Sequence, residues 1–154
     1  MKITKLEHAT LVLEQGGDTA VIDPGVYTRP LTGLSNVRAI VMTHMHDDHC
    51  FEEQLDRIVA ENTDALLFGT DDVRKRLAES RPTLKVTSVH HGDFHKVGEI
   101  MDFVDEVKPA RSFGTHNIHL SAEGHQMYNG RIKQLTEKHG GTFEHLEPGD
   151  STTV

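Results

Sequence analysis

At 154 residues, with a formal net charge of -8, no Trp and one cysteine, the chain fits a single domain (residues 1–154) with its own core. Its acidic, interspersed charge repels polyanions and offers no basic stripe for DNA or RNA, so no nucleic-acid partner is expected. A lone Cys50 excludes an internal disulfide, and no apolar run approaches the ~20 residues of a membrane span.

In chain order, Met1-Lys2-Ile3-Thr4-Lys5 opens an alternating segment rather than an apolar leader, which predicts a cytoplasmic protein. Residues 3–14 and 19–23 read as a hairpin turned by Gly16-Gly17-Asp18. A Pro- and Gly-punctuated loop over 24–36 is placed to border a substrate entrance. Residues 37–42 are an apolar run typical of a buried strand. Phe51, Leu55, Ile58 and Val59 then share one face of a helix. A strand at 65–68, a helix at 71–79 capped by Thr70, and a strand at 84–89 continue an alternation of β and α elements. Residues 100, 103, 104 and 107 have helical spacing, and a long helix is expected over 122–139, capped by Ser121 and stopped by Gly140-Gly141. Residues 143–154 read as one terminal strand followed by a loose end.

Between the strand at 37–42 and the next helix lies Thr43-His44-Met45-His46-Asp47-Asp48-His49, a His-x-His-x-Asp-His array. Imidazole nitrogen and carboxylate oxygen are donors that zinc, manganese and iron all accept, and a strand-to-helix loop is where open α/β sheets place ligands. His44 and His46 alternate along the chain and can face one ion, while Asp48 and His49, further on, can reach a second. Zinc is the expected metal, with manganese or iron as alternatives. Cys50 reads as a packed small side chain ahead of an extra soft ligand, because free cysteine is usually a buried hydrophobe. Asp23 before Pro24 has two open readings, support for a ligand imidazole and a plain turn aspartate. His90, His91, His125, His139 and His145 read as ordinary turn, helix and strand histidines.

The array resembles the signature of the metallo-β-lactamase superfamily, metal-dependent hydrolases on an αβ/βα sandwich. Residues 3–14, with His8-Ala9-Thr10, look like the first hairpin of the branch that includes ascorbate-phosphate lactonase-like and other uncharacterised hydrolases. Val21-Ile22-Asp23-Pro24-Gly25 looks like the family's second-strand turn, and Lys108-Pro109-Ala110 with Phe113-Gly114-Thr115-His116-Asn117 like the segment carrying its last metal histidine. The resemblance implies a shortened α/β (α+β) sandwich. It assigns His44 and His46 to a first metal, and Asp48 and His49 to a second that His116 completes; a structural role for His116 stays open, with His119 close by. His8 and Asp23 are expected to support rather than ligate.

The resemblance breaks after about residue 100, where the family continues with sheet that supplies a third histidine and a bridging aspartate. Here the chain passes directly into the helical spacing, and nothing promotes His90, His91 or His95 into that vacancy. Gly149-Asp150-Ser151 follows His116, the wrong order for the bridging tripeptide, and is read as tail. The implied activity is hydrolysis of an ester, lactone, amide or phosphoester bond in a small-molecule substrate by metal-activated water, with Asp48 holding a metal and orienting the attacking oxygen. The other reading is a shortened relative that binds metal without turnover, as an oligomeric binding or structural protein. A sandwich missing strands exposes sheet edge, which predicts a homodimer or higher oligomer, with exchange of elements as one route.

Overall fold

The computed structural model describes residues 1–89, 104–116 and 120–154. Strands β1 (Lys2–Lys5), β2 (Leu11–Gln15), β3 (Asp18–Ile22) and β4 (Val37–Met42) are followed by α1 (Glu52–Glu61), β5 (Leu66–Gly69), α2 (Asp71–Ser80) and β6 (Val86–Ser88). Then come β7 (Arg111–Ser112), α3 (Ala122–Lys138), β8 (Thr142–Phe143) and β9 (Ser151–Thr153). The chain divides into two compact units, Met1–His90 with Glu147–Val154, and His91–Leu146. No helix among the described residues is long and apolar enough to cross a membrane.

The first unit is a seven-stranded sheet ordered β6-β5-β4-β3-β2-β1-β9. From β3 to β6 the strands run parallel, and α1 and α2 form the crossovers that parallel neighbours require. Leu55 and Ile58 of α1 and Val73 and Leu77 of α2 join Val21, Ile40, Met42 and Leu67 of the sheet in one apolar cluster. Burial of both helices on this cluster is what stabilises them, since ten-residue helices are marginal alone. Thr70 caps α2 as its sequence suggests, its hydroxyl accepting from Val73 N at 3.4 Å.

The β2–β3 hairpin turns on Gly16 and Gly17, at φ 63° and 92°, which is the geometry a two-residue loop of this hand requires. Residues 3–14 are two antiparallel strands joined by a turn over 6–10, the first hairpin that the resemblance implies, rather than a single arm of a hairpin closed at 16–18. The cause is local. Leu6 N donates to Thr10 O, His8 adopts φ 58°, and the Thr10 hydroxyl donates to the Asp23 carbonyl at 2.6 Å, a competing side-chain bond that ends the ladder. The tail also differs from expectation. Thr142–Phe143 pairs with β7 in a separate small sheet, and 151–153 is no loose end but pairs antiparallel with β1. Its approach over 147–150 helps cover Lys5, which is 1% exposed although a strict alternation would turn it outward. His145, expected in a strand, lies in irregular chain between β8 and β9.

The second unit is built on α3, which connects the parallel pair β7–β8. Ser121 caps α3 as expected, accepting from Gly124 N at 3.1 Å, and the helix stops one residue before His139, with Gly140 at φ 81°. Residues 104–107 form a helical turn, in accord with their spacing; 100–103 lie outside the described residues.

Candidate metal centre

Because β3 and β4 are parallel neighbours with Ile22 opposite Val41, their carboxyl ends bring Asp23 beside Thr43, where the array begins. Asp23 sits in the left-handed region at φ 49°, a conformation aspartate tolerates, and its amide donates to Val41 O at 2.9 Å. The chain after it is laced to the array from behind. Val26 N donates to Asp47 O at 2.8 Å, Phe51 N to Pro24 O at 3.1 Å, and a Cβ on Gly25 would overlap the Asp48 carbonyl. Gln54 of α1 ties the next stretch down, donating to Thr28 O and accepting from Leu31 N, both at 2.9 Å.

On this frame the side chains converge. His44, His46 and Asp48 offer donor atoms that all lie within 4.8 Å of one another, and His8, Asp48 and His49 do the same. Asp48 is common to both groups. The rings of His44 and His49 are 3.8 Å apart between centroids, and those of His44 and His46 4.8 Å. His8, expected as a support, is 2% exposed, and its Nε2 lies 2.8 Å from Asp48 Oδ2. It is the member of the cluster that the array could not reveal, since forty positions separate it from Asp48.

Asp23 fills the supporting role rather than that of a turn residue. Its carboxylate accepts from Thr43 N at 2.7 Å, from Thr43 Oγ1 at 2.8 Å and from His49 Nδ1 at 2.8 Å. An ionised carboxylate only accepts, so the proton of His49 sits on Nδ1 and the lone pair on Nε2, which lies 3.4 Å from Asp48 Oδ2. Burial, together with neighbouring His49 and His46, pushes the His44 imidazole below its ordinary pKa against the pull of Asp23 and Asp48. His44 is thereby kept in the neutral form that ligates metal. Imidazole nitrogens and carboxylate oxygen crowded within 4.8 Å of one another are a donor set that a divalent cation fits.

Cys50 is fully buried in the core, and burial pushes its thiol up to about 11, so it packs rather than presenting the thiolate a metal needs. His116 belongs to the second unit, where it follows β7 as an exposed residue at φ 61°. His90, His91, His95, Asn117 and His119 lie outside the described residues.

A family model described as the beta-lactamase superfamily domain matches residues 2–146. A protein of Mycobacterium tuberculosis is 28% identical over 100 residues, 65% of this chain and 45% of its own length. A UPF0173 metal-dependent hydrolase of Flavobacterium johnsoniae is 29% identical over 84 residues, 51% of this chain and 36% of its own. The chain thus spans less than half the length of these two relatives. Another UPF0173 metal-dependent hydrolase, from Shouchella clausii, is 25% identical over 176 positions that cover all of this chain and 76% of the relative. Against 154 residues, at least 22 of those positions have no counterpart here. Among solved structures, a Parabacteroides distasonis protein superposes with TM-score 0.69 at 13% identity, covering 95% of this chain and 92% of its own. Igni18, a metallo hydrolase from Ignicoccus hospitalis, superposes with TM-score 0.59 at 16% identity, covering 99% and 97%. At these identities the structural likeness is one of fold. With its mixed α/β fold and the His-x-His-x-Asp-His loop at the end of β4, the chain belongs to the beta-lactamase superfamily domain family.

Proposed function

We propose that the protein is a metal-dependent hydrolase of an ester, lactone, amide or phosphoester bond in a small-molecule substrate. The observation that carries this reading is the pair of donor groups sharing Asp48 at the end of β4. His44, His46, Asp48 and His49 would hold one or two divalent ions, zinc ahead of manganese or iron, and the family resemblance adds His116 to this set. When bound, such an ion lowers the pKa of water from 15.7 toward ~7 and polarises the oxygen of the scissile group. The chain's own part is to keep His44 neutral, to fix the His49 tautomer through Asp23, and to orient the attacking oxygen with the Asp48 carboxylate. Elemental analysis of protein purified without added ions identifies the metal. Hydrolysis that requires this metal and is lost in both His46→Ala and Asp48→Ala is the expected result. Loaded wild-type protein that turns over none of these bond classes would retire the assignment. In His116→Ala, the metal content should fall by one ion if this residue completes the second site.

One observation favours a second reading, a shortened relative that binds metal without turnover: the 22 or more aligned positions of the Shouchella relative that have no counterpart here. One bound ion per chain and no hydrolysis would select it. The family match through both units supports reading residues 1–154 as one domain. Among the described residues no further strand pairs beside β6 or β9. A homodimer or higher oligomer in the cytoplasm, by element exchange as one route, is part of this reading, and light scattering at micromolar concentration tests the assembly.

A further inference from the structure

We propose that Arg76 is a positioning residue for the metal centre, clamping the array from α2 so that the donors at 44, 46 and 48 stay converged; this rests on the metal-centre reading above. The Arg76 guanidinium donates to the Met45 carbonyl and, at 2.6 Å, to Asp47 Oδ1, and its Nε lies 3.5 Å from Glu52 Oε1. Met45 and Asp47 are the two residues that alternate with the donors His44, His46 and Asp48. A single side chain thus grips both intervening positions of the loop, and Glu52 extends the grip to the start of α1.

The base of the clamp is rigid. Arg76 lies between Val73 and Leu77, both fully buried in the core cluster, and its own carbonyl accepts from Ser80 Oγ at 3.2 Å. Glu52 is held in turn by Arg81 Nη1 at 2.9 Å and Ser80 Oγ at 2.8 Å. On its other side the loop is tied by Val26 N to Asp47 O and by the close approach of Gly25 to the Asp48 carbonyl. Residues 45–48 are therefore pinned from the β3 turn and from α2 together. A loop that carries its donors on irregular backbone needs such pinning, because a misplaced donor costs affinity in a site that tolerates only small displacements. Asp47 is largely solvent-exposed, so its pair with Arg76 contributes little to global stability. Its effect is expected on geometry at the donors.

Guanidinium is required for this work. Its fixed fork supplies separate N–H donors to the carbonyl and to the carboxylate, whereas a lysine ammonium is a single point on a flexible stem. The test measures zinc affinity by competition with a chromogenic chelator, the visible spectrum of the Co(II)-loaded protein, and the melting of the metal-free protein. In Arg76→Ala, zinc binding should weaken about tenfold and the Co(II) bands should shift, while melting without metal moves little. Arg76→Lys should recover part of the affinity, and Asp47→Asn, which keeps an acceptor but takes the charge from one of the two grips, should show a smaller loss with the same spectral trend. An unchanged affinity and Co(II) spectrum in Arg76→Ala would overturn the clamp while leaving the metal centre intact, as would a loss of affinity matched by collapse of the metal-free fold. Wild-type protein that binds neither zinc nor Co(II) would overturn the clamp and the metal centre together.

Discussion

The two units are stabilised by different means, and the difference explains which of them carries the donor cluster. In the first unit, parallel strands deliver Asp23 and the array to adjacent strand ends, and α1 and α2 are seated on a contiguous apolar cluster. In the second, α3 rests on two-residue strands, and Val104, Ile132 and Leu135 are its buried apolar side chains among the described residues. Much of its remaining connection is polar: Arg111 with Glu144, Ser112 with Thr136, and Lys138 and His139 with Asp105. A donor cluster must be held to within fractions of an ångström, and close packing behind the loop does this better than exposed ion pairs.

The largest expected effects test that contrast directly. Leu55→Ala, at a site that is fully buried between sheet and helices, should cost about 2–5 kcal/mol, with the upper half of that range expected because a rigid surround cannot collapse into the cavity. Leu135→Ala in α3, at 7% exposure and with fewer apolar neighbours, should cost about 2 kcal/mol, the lower end of the same range. Urea denaturation followed by circular dichroism reads both. Equal losses would mean that the second unit is packed as tightly as the first, and the contrast would fail.

The next effect sharpens the comparison at the centre itself. Asp23→Asn keeps an acceptor for Thr43 N but removes the charge that sets the His49 tautomer, so metal affinity should fall about 10–100-fold, or ~1.4–2.7 kcal/mol. Chelator competition measures it. An Asn variant with wild-type affinity would show that packing around His49 alone orients the ring.

These residues also show why parts of the molecule could be read from the sequence and others could not. The array, the strand before it and the helix after it are local patterns, so His44, His46, Asp48 and His49 were visible as a group, and their convergence follows from a short loop at a strand end. The caps at Thr70 and Ser121 are equally local. By contrast, His8 meets Asp48 only because β1 and β2 fold back at 6–10, and the fold-back depends on Thr10 bonding to Asp23, thirteen positions away. The pairing of β9 with β1 joins the two ends of the chain, and Ser151-Thr152-Thr153 has no apolar alternation to announce a strand. In the sequence Arg76 is one of several charged residues between 71 and 79; its grip on Met45 and Asp47 exists only once α2 has crossed back to the strand ends. Local signals specify elements, whereas long-range polar contacts choose which elements meet.

The smallest effect concerns the polar support of the second unit. Lys138 and His139 bond to Asp105 and hold its carboxyl at about 2, below the ordinary 3.8. A depressed folded-state value means that the unfolded chain binds the proton first, so this contribution is complete above pH 3.8 and is lost as pH falls through about 2. Asp105 is exposed and solvent screens the pair, so the expected change is a shallow extra slope in the acid limb of the unfolding curve. Asp105→Asn should lie slightly below wild type at neutral pH, and the two curves should converge between pH 4 and pH 2 as the wild-type carboxylate is neutralised. Curves that coincide throughout would assign the ion pair no net stabilisation. The second unit would then depend on Ile132 and Leu135 far more than its surface charges suggest, and the difference between the two units would be one of core size alone.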